Sequence, residues 1–409
     1  MGSISLCVQV SLFLNQCYCL CFLTSLSLSY LSLPAAFFGE KQNLNQTYTQ
    51  INYSRTISMM TPLFTTNGMF IIDEIHTSTL SYEDIPGGGG MFAVLGACII
   101  SPTTDVSKRL KWIVDRGTDF PKRLTEQLET WNSGVCFRDD DSRLTTRGWN
   151  FYGEKEFREF KYLSPKKRID VVDWCEQFGS ENVGAIPCFH LLCSGKRSLD
   201  IMDKLKPLCK SRTEKVFVWE PIPDLCDVGN FQEIKEVMNR EEVVIISPNA
   251  EEASRLFGFE EEPVTIDECC KLAWRFDDFI KDENSCVLRC GRLGSIVLTP
   301  RINGSREVFR FPAYHFNSPS KVVDPTGGGN TFLGGFSIGY TLSRGDLQIA
   351  NICGNIAAGA AIEQIGVPSS VDGKWNGKSF KERLSYYIET YKLSYNADKI
   401  YKILKESTV

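Results

Sequence analysis

Histidine is nearly absent from this chain, with three residues in 409. That leaves little room for a His-rich metal site. Basic residues are not in excess: 45 lysines and arginines stand against 50 aspartates and glutamates, a formal net charge of −5. A general nucleic-acid binder would need a basic stripe to neutralise phosphates, so direct nucleic-acid binding is not expected. Apolar residues, by contrast, are plentiful at 43%, with 23% charged. This excludes wholesale disorder and describes a globular protein of one large or two modest domains.

The sixteen cysteines lack a pattern. Cys17, Cys19 and Cys21 alternate in an apolar run, Cys269 and Cys270 are adjacent, and Cys286 and Cys290 have no partner pair at zinc-finger spacing. Free, mostly buried thiols in a reducing compartment are expected, with disulfides as the alternative.

Charge is missing altogether from Met1 to Gly39. As a signal peptide this run lacks a basic n-region, although Leu33-Pro-Ala-Ala36 ends in small residues. As a membrane anchor it is long enough but diluted by Asn15, Gln16 and many serines. A myristoylation motif fails because position 6 is Leu. The third reading is that residues 1–59 form a non-core extension, outside the working protein if translation starts at Met59 or Met60. The sequons at Asn45 and Asn52 matter only on a secretory path. Residues 60–409 read as the working domain.

Within that domain, 66–75 reads as a strand and the glycines 87–90 open a small-residue helix, where backbones approach closely. Short alternating strands follow near 135–152 and 156–163. After Lys167 the chain alternates strand and helix, which implies a mostly parallel sheet covered on both faces. Asn249 stands at a natural helix N-cap. The most informative stretch is KVVDPTGGGNTFLGGFSIGY, residues 321–340. A strand end runs through Asp324 and Thr326 into Gly327, Gly328 and Gly329, then into a small apolar helix. Bare N–H groups and the helix dipole at such a point suit a phosphoryl group. The same glycines would also serve a tight strand-to-helix turn.

These features in this order resemble the PfkB, or ribokinase-like, carbohydrate kinase family. Its late signature, Asp-Thr-x-Gly-Ala-Gly-Asp, is similar to Asp324-Pro-Thr326-Gly-Gly-Gly329-Asn330. Residues 350–368 match the Ala-rich nucleotide-bordering helix ending in Gly-x-Pro, Asn249 to Glu252 the Asn-x-x-Glu motif, and 290–297 a strand-turn-strand. Within the family the pattern is most similar to a fungal maintenance-of-killer branch. The resemblance covers about residues 61–370. It implies a ribokinase-like three-layer α/β sandwich with a mostly parallel sheet and a small β-sheet lid, using strands near 68–75 and 135–163. It implies a cytoplasmic kinase that transfers the γ-phosphoryl of ATP, with Mg²⁺, to a hydroxyl of a small sugar-like acceptor.

By the same resemblance, Asp73, Gly87 and Gly88 would bind the acceptor, with Arg147, Asn150 and Tyr152 as further lid candidates. Gly327, Gly328 and Gly329 would form the anion hole. Asp324, Thr326, Gly291 and Gly294 would contact the nucleotide, and Asn249 with Glu252 would organise Mg²⁺ through water. A homodimer through the lid is a further implication. The pattern breaks at three places. Asn330 stands at the family's catalytic-base position, Phe92 where an Asn commonly binds sugar, and Arg289 where many members carry Thr. An amide has no useful basicity, and general-base catalysis is worth about 10² to 10⁴ in rate. The expectation is therefore an impaired kinase that Asn330→Asp would improve. The alternative is a non-catalytic nucleotide-binding or scaffold protein with a maintenance or structural role.

The composition break predicts that a chain beginning at Met60 folds without residues 1–59. Its thermal melt is expected to match that of the full chain, and aggregation or a far lower melt would contradict the boundary.

Overall fold

The computed structural model describes residues 61–77, 79–152, 158–209 and 215–407. The readings of residues 1–59 fall outside them, as does the side chain of Tyr152. Thirteen strands matter here. In chain order they are β1 (Phe64–Thr66), β2 (Ile71–Thr77), β3 (Ser81–Gly87), β4 (Lys111–Arg116), β5 (Gly134–Asp139), β6 (Arg147–Tyr152) and β7 (Arg158–Tyr162). Then follow β8 (Cys188–Leu192), β9 (Val216–Glu220), β10 (Val243–Ile246), β11 (Ser285–Arg289), β12 (Ser295–Leu298) and β13 (Val308–Phe311).

The main sheet runs β1-β8-β9-β10-β11-β12-β13. The first five strands are parallel, and β12 and β13 are antiparallel. Its middle strands are mostly apolar because both faces are covered, with His190, Glu220, Ser285 and Arg289 as the exceptions. Side chains alternate between two cores. Cys188, Val216, Val218, Ile245 and Val287 face one core, and Phe189, Phe217, Trp219, Ile246 and Leu288 face the other. Helices Gly89–Ile100, Gly328–Leu342, Leu347–Ala361, Phe380–Thr390 and Ala397–Glu406 cover the first face. Helices Val171–Phe178, Gly195–Leu205, Phe231–Met238, Ala250–Leu256 and Ile266–Trp274 cover the second.

Two differences from the expected strands have local causes. The run 66–75 is not one strand: β1 enters the main sheet, and after Gly68 the chain restarts as β2 in a separate four-stranded sheet, β3-β2-β6-β7. In this lid β2 is antiparallel to β3 and parallel to β6, and β6 is antiparallel to β7. The lid thus also uses 81–87, a strand that runs directly into the glycines opening the next helix. Residues 134–139 do not join it. They pair in parallel with β4, and Arg138 ties β5 to Asp115 on β4 and to Asp173 on helix Val171–Phe178. The described cysteines are all free thiols, most of them buried.

Helices Gly89–Ile100 and Gly328–Leu342 touch backbone to backbone. A Cβ at Gly334 would collide with the carbonyl of Ala93, and one at Gly96 with that of Thr331. This is the reason both helices are rich in small residues. Gly334→Ala is therefore expected to force the two helices apart, at a cost of about 1–3 kcal/mol or more. A lowered thermal melt checks this, and a melt equal to wild type would show that the helices can slide without loss.

Candidate functional site

Strand alternation places the polar residues of the site. Glu220 ends β9 on the same side as Val216 and Val218, His190 lies on β8 with Cys188, and Arg289 ends β11 on the side of Val287. Glu220 and Arg289 therefore stand at the C-terminal ends of parallel strands, with His190 at the middle of β8 beside them, under the N-terminus of helix Gly328–Leu342. In open α/β sheets this crevice is where ligands bind.

These groups form one buried network. Arg289 Nη1 lies 2.7 Å from Glu220 Oε1, and Nη2 lies 3.4 Å from Glu252 Oε2 and donates to the Ser247 carbonyl at 3.0 Å. Asn330 Nδ2 donates to Glu220 Oε2 at 2.5 Å. His190 Nε2 is 3.6 Å from that oxygen, and its Nδ1 is 2.9 Å from Thr66 Oγ1. Burial raises the Glu220 carboxyl, but Arg289 and His190 outweigh it and hold it below the ordinary carboxylate value. Burial and the charge of Glu220 push Glu252 above its ordinary value despite Arg289. Burial lowers the Arg289 guanidinium, but the two carboxylates more than reverse this.

Asn249 and Glu252 cap helix Ala250–Leu256 reciprocally. Asn249 N–H donates to Glu252 Oε2 at 2.8 Å and Glu252 N–H to Asn249 Oδ1 at 2.7 Å. Asn249 Nδ2 also donates to Glu252 Oε1 at 2.9 Å. The sequence spacing that suggested a magnesium motif is thus first a capping box. Among the described residues no group of three His, Cys, Asp or Glu side chains converges as a metal site. Glu252 is 4% exposed and both its carboxylate oxygens already accept from Asn249, so a Mg²⁺ ion could be held by it only through water.

The three glycines differ from one another. Gly327 is the helix N-cap with φ 74°, a left-handed conformation that favours glycine, and a Cβ there would strike the Phe92 ring. A Cβ at Gly329 would strike Arg289 Nη1. Gly328 would meet only Ile362 Cγ2, at 3.0 Å. Two of the three are therefore needed for packing against Phe92 and Arg289, the residues that depart from the family pattern. Thr326 N–H donates to Asp324 Oδ1 at 2.9 Å and shapes the turn into the helix.

A cavity of about 460 Å³ opens beside Gly328 and Gly329. Arg289, the turn residues Gly291, Arg292 and Gly294, and Tyr314, Phe316, Phe332, Asn355 and Ile362 also line it. Gly291 and Gly294 line this cavity, whereas Asp324 and Thr326 are in the turn before the helix.

On the lid side the packing is tighter. Asp73 is the third residue of lid strand β2 and is 7% exposed. Its carboxylate lies over Gly87 and Gly148, where any Cβ would meet it. Gly88 caps helix Gly89–Ile100 with φ 92°. Phe92 is buried. Arg147 pairs with Asp84 at 3.1 Å and Asp119 at 2.5 Å, which makes it a brace of the lid. Asn150 is buried in β6. Sequence reasoning missed Glu220 and His190. The available signal was a polar residue in or closing an apolar strand, as in KVFVWE and CFHLL.

The model of the pfkB family carbohydrate kinases matches residues 128–373. Protein MAK32 of Saccharomyces cerevisiae is 53% identical over 350 residues, covering 84% of this chain and 96% of that protein. An uncharacterized protein of Schizosaccharomyces pombe is 30% identical over 361 residues, covering 84% and 97%. Among solved structures, ribokinase from Giardia lamblia superposes with a TM-score of 0.57 at 15% identity, over 75% of this chain and 94% of that one. That match shows the ribokinase-like fold. With the late glycine motif at the helix N-terminus and the crevice beneath it, the chain belongs to the pfkB family of carbohydrate kinases.

Proposed function

We propose that this chain binds ATP with Mg²⁺ and that phosphoryl transfer to a hydroxyl of a small sugar-like acceptor is strongly attenuated in it. The observation that carries the reading is the cavity at Gly328 and Gly329. It joins an apolar, aromatic wall to a helix N-terminus and to Arg289 and Arg292. An aromatic base with a phosphate tail fits that division, with the apolar wall for the ring and the helix end with two guanidiniums for the phosphates. Mg²⁺ would neutralise charge on the phosphates, with Glu252 as the carboxylate that would hold it through water. The attenuation follows from Asn330, whose amide is held by a buried carboxylate and offers no base to an incoming hydroxyl.

The second reading, a non-catalytic nucleotide-binding or scaffold protein, is favoured by Phe92. Its ring fills the space over Gly327, between the acceptor side and the phosphate side. The same proposal includes a cytoplasmic, fungal maintenance role, supported by the likeness to MAK32. Among the described residues no helix is long and apolar enough to cross a membrane. Self-association through the lid is part of it as well, where Phe160 and Tyr162 are exposed.

Calorimetric titration of the full chain with Mg-ATP is expected to give saturable binding. Gly328→Val, which places a branched side chain beside Ile362 at the cavity wall, is expected to weaken it at least about tenfold while the protein stays folded. Unchanged affinity in the folded variant would move the nucleotide out of this cavity. A phosphotransfer screen over sugars and nucleosides is expected to give turnover about 10² or more below that of a carboxylate-based kinase.

A further inference from the structure

The base position holds an amide, and the structure supplies a reason that the sequence did not. Asn330 Nδ2 is 2.5 Å from Glu220 Oε2. Glu220 is 6% exposed, and its other oxygen lies 2.7 Å from Arg289. An ionised carboxylate only accepts hydrogen bonds, so the group facing it from position 330 must be a donor. Asn provides one; Asp does not.

The surrounding charges fix the count. Facing Glu220 are Arg289 from β11, His190 from β8 and Asn330 from helix Gly328–Leu342, with Glu252 beyond Arg289 and Cys226 on the turn after β9. One guanidinium already serves two buried carboxylates. A third carboxylate at 330 would stand against Glu220 with only the His190 imidazole left among these groups to offset it. Two carboxylates at such a distance in a buried site cannot both be ionised without a large penalty.

We infer that Glu220 is the positioning residue for Asn330, and that the pair is a polarity-exchanged unit in which the site's one tolerated carboxylate sits at 220 instead of 330. The single change Asn330→Asp therefore does not reinstate a base. It sets two carboxylates against each other. The carboxylate can be moved to 330 only if Glu220 becomes Gln in the same chain, so that the donor and acceptor exchange places and the charge is conserved. This goes beyond the nucleotide reading and does not rest on it.

The test is a double-mutant cycle on the full chain at pH 7.5, read by thermal melting with no nucleotide present. Asn330→Asp is expected to lower the melting temperature by about 5 °C or more. Glu220→Gln is expected to lower it as well, because Arg289 loses a counter-ion. Glu220→Gln with Asn330→Asp is expected to regain at least half of the Asn330→Asp loss, although it carries one more substitution. A melting temperature for Asn330→Asp equal to wild type would overturn the inference. So would a double variant that falls by the sum of the two singles. If the Asn330→Asp chain fails to fold, recovery of soluble protein in the double variant supports the pairing, and its continued absence overturns it. Because the readout needs no ligand, a failure of Mg-ATP binding leaves this result independent.

Discussion

The structure depends on one close approach, that of helix Gly89–Ile100 to helix Gly328–Leu342, where Gly334 lies against the carbonyl of Ala93 and Gly96 against that of Thr331. With no side chains between them, the helices run backbone to backbone, and their N-termini are drawn to one point. Gly89 comes up to Asn330 and Phe92 to Gly327 there. The lid side and the cavity side of the candidate site are thus two ends of a single packing contact. Neither end moves independently of the other in an interior packed at crystal-like density.

Beneath that contact, the sheet sets the electrostatics. Parallel strands end together, and alternation gives Glu220, His190 and Arg289 the same facing. Their burial would be costly for isolated charges, so each carries a partner: Glu220 holds Arg289 and Asn330, and Glu252 holds Arg289 and the backbone of Asn249. The opposite pushes on the two glutamates, Glu220 downward and Glu252 upward, follow from Arg289 lying closer to the first.

Much of this was legible in the residues. The β/α alternation after Lys167, the N-cap at Asn249 and the glycine run at 327–329 are local signals, set by periodicity and by backbone needs that only certain residues meet. The lid was legible in part. β6 and β7 show alternation, but β3 ends in the glycines that open the next helix, and the strand signal of 66–75 spans two sheets because Gly68 breaks it without an obvious turn. The site was legible where a motif is contiguous and illegible where it is assembled. Glu220 and Asn330 are 110 residues apart, and Arg289 meets Gly329 across two further strands. Nothing in the spacing of KVFVWE announces an amide partner on a later helix. That relation exists only after the strands have been ordered in the sheet.

The ring of Phe92 seated on Gly327 makes the start of helix Gly328–Leu342 sensitive from two directions. A side chain at 327 would meet that ring, and loss of the ring would open a void beneath the helix N-cap. The helix end that borders the cavity is thus set by a residue of the neighbouring helix, and a change of volume at 92 is felt beside Gly328 and Gly329 without any contact to a ligand.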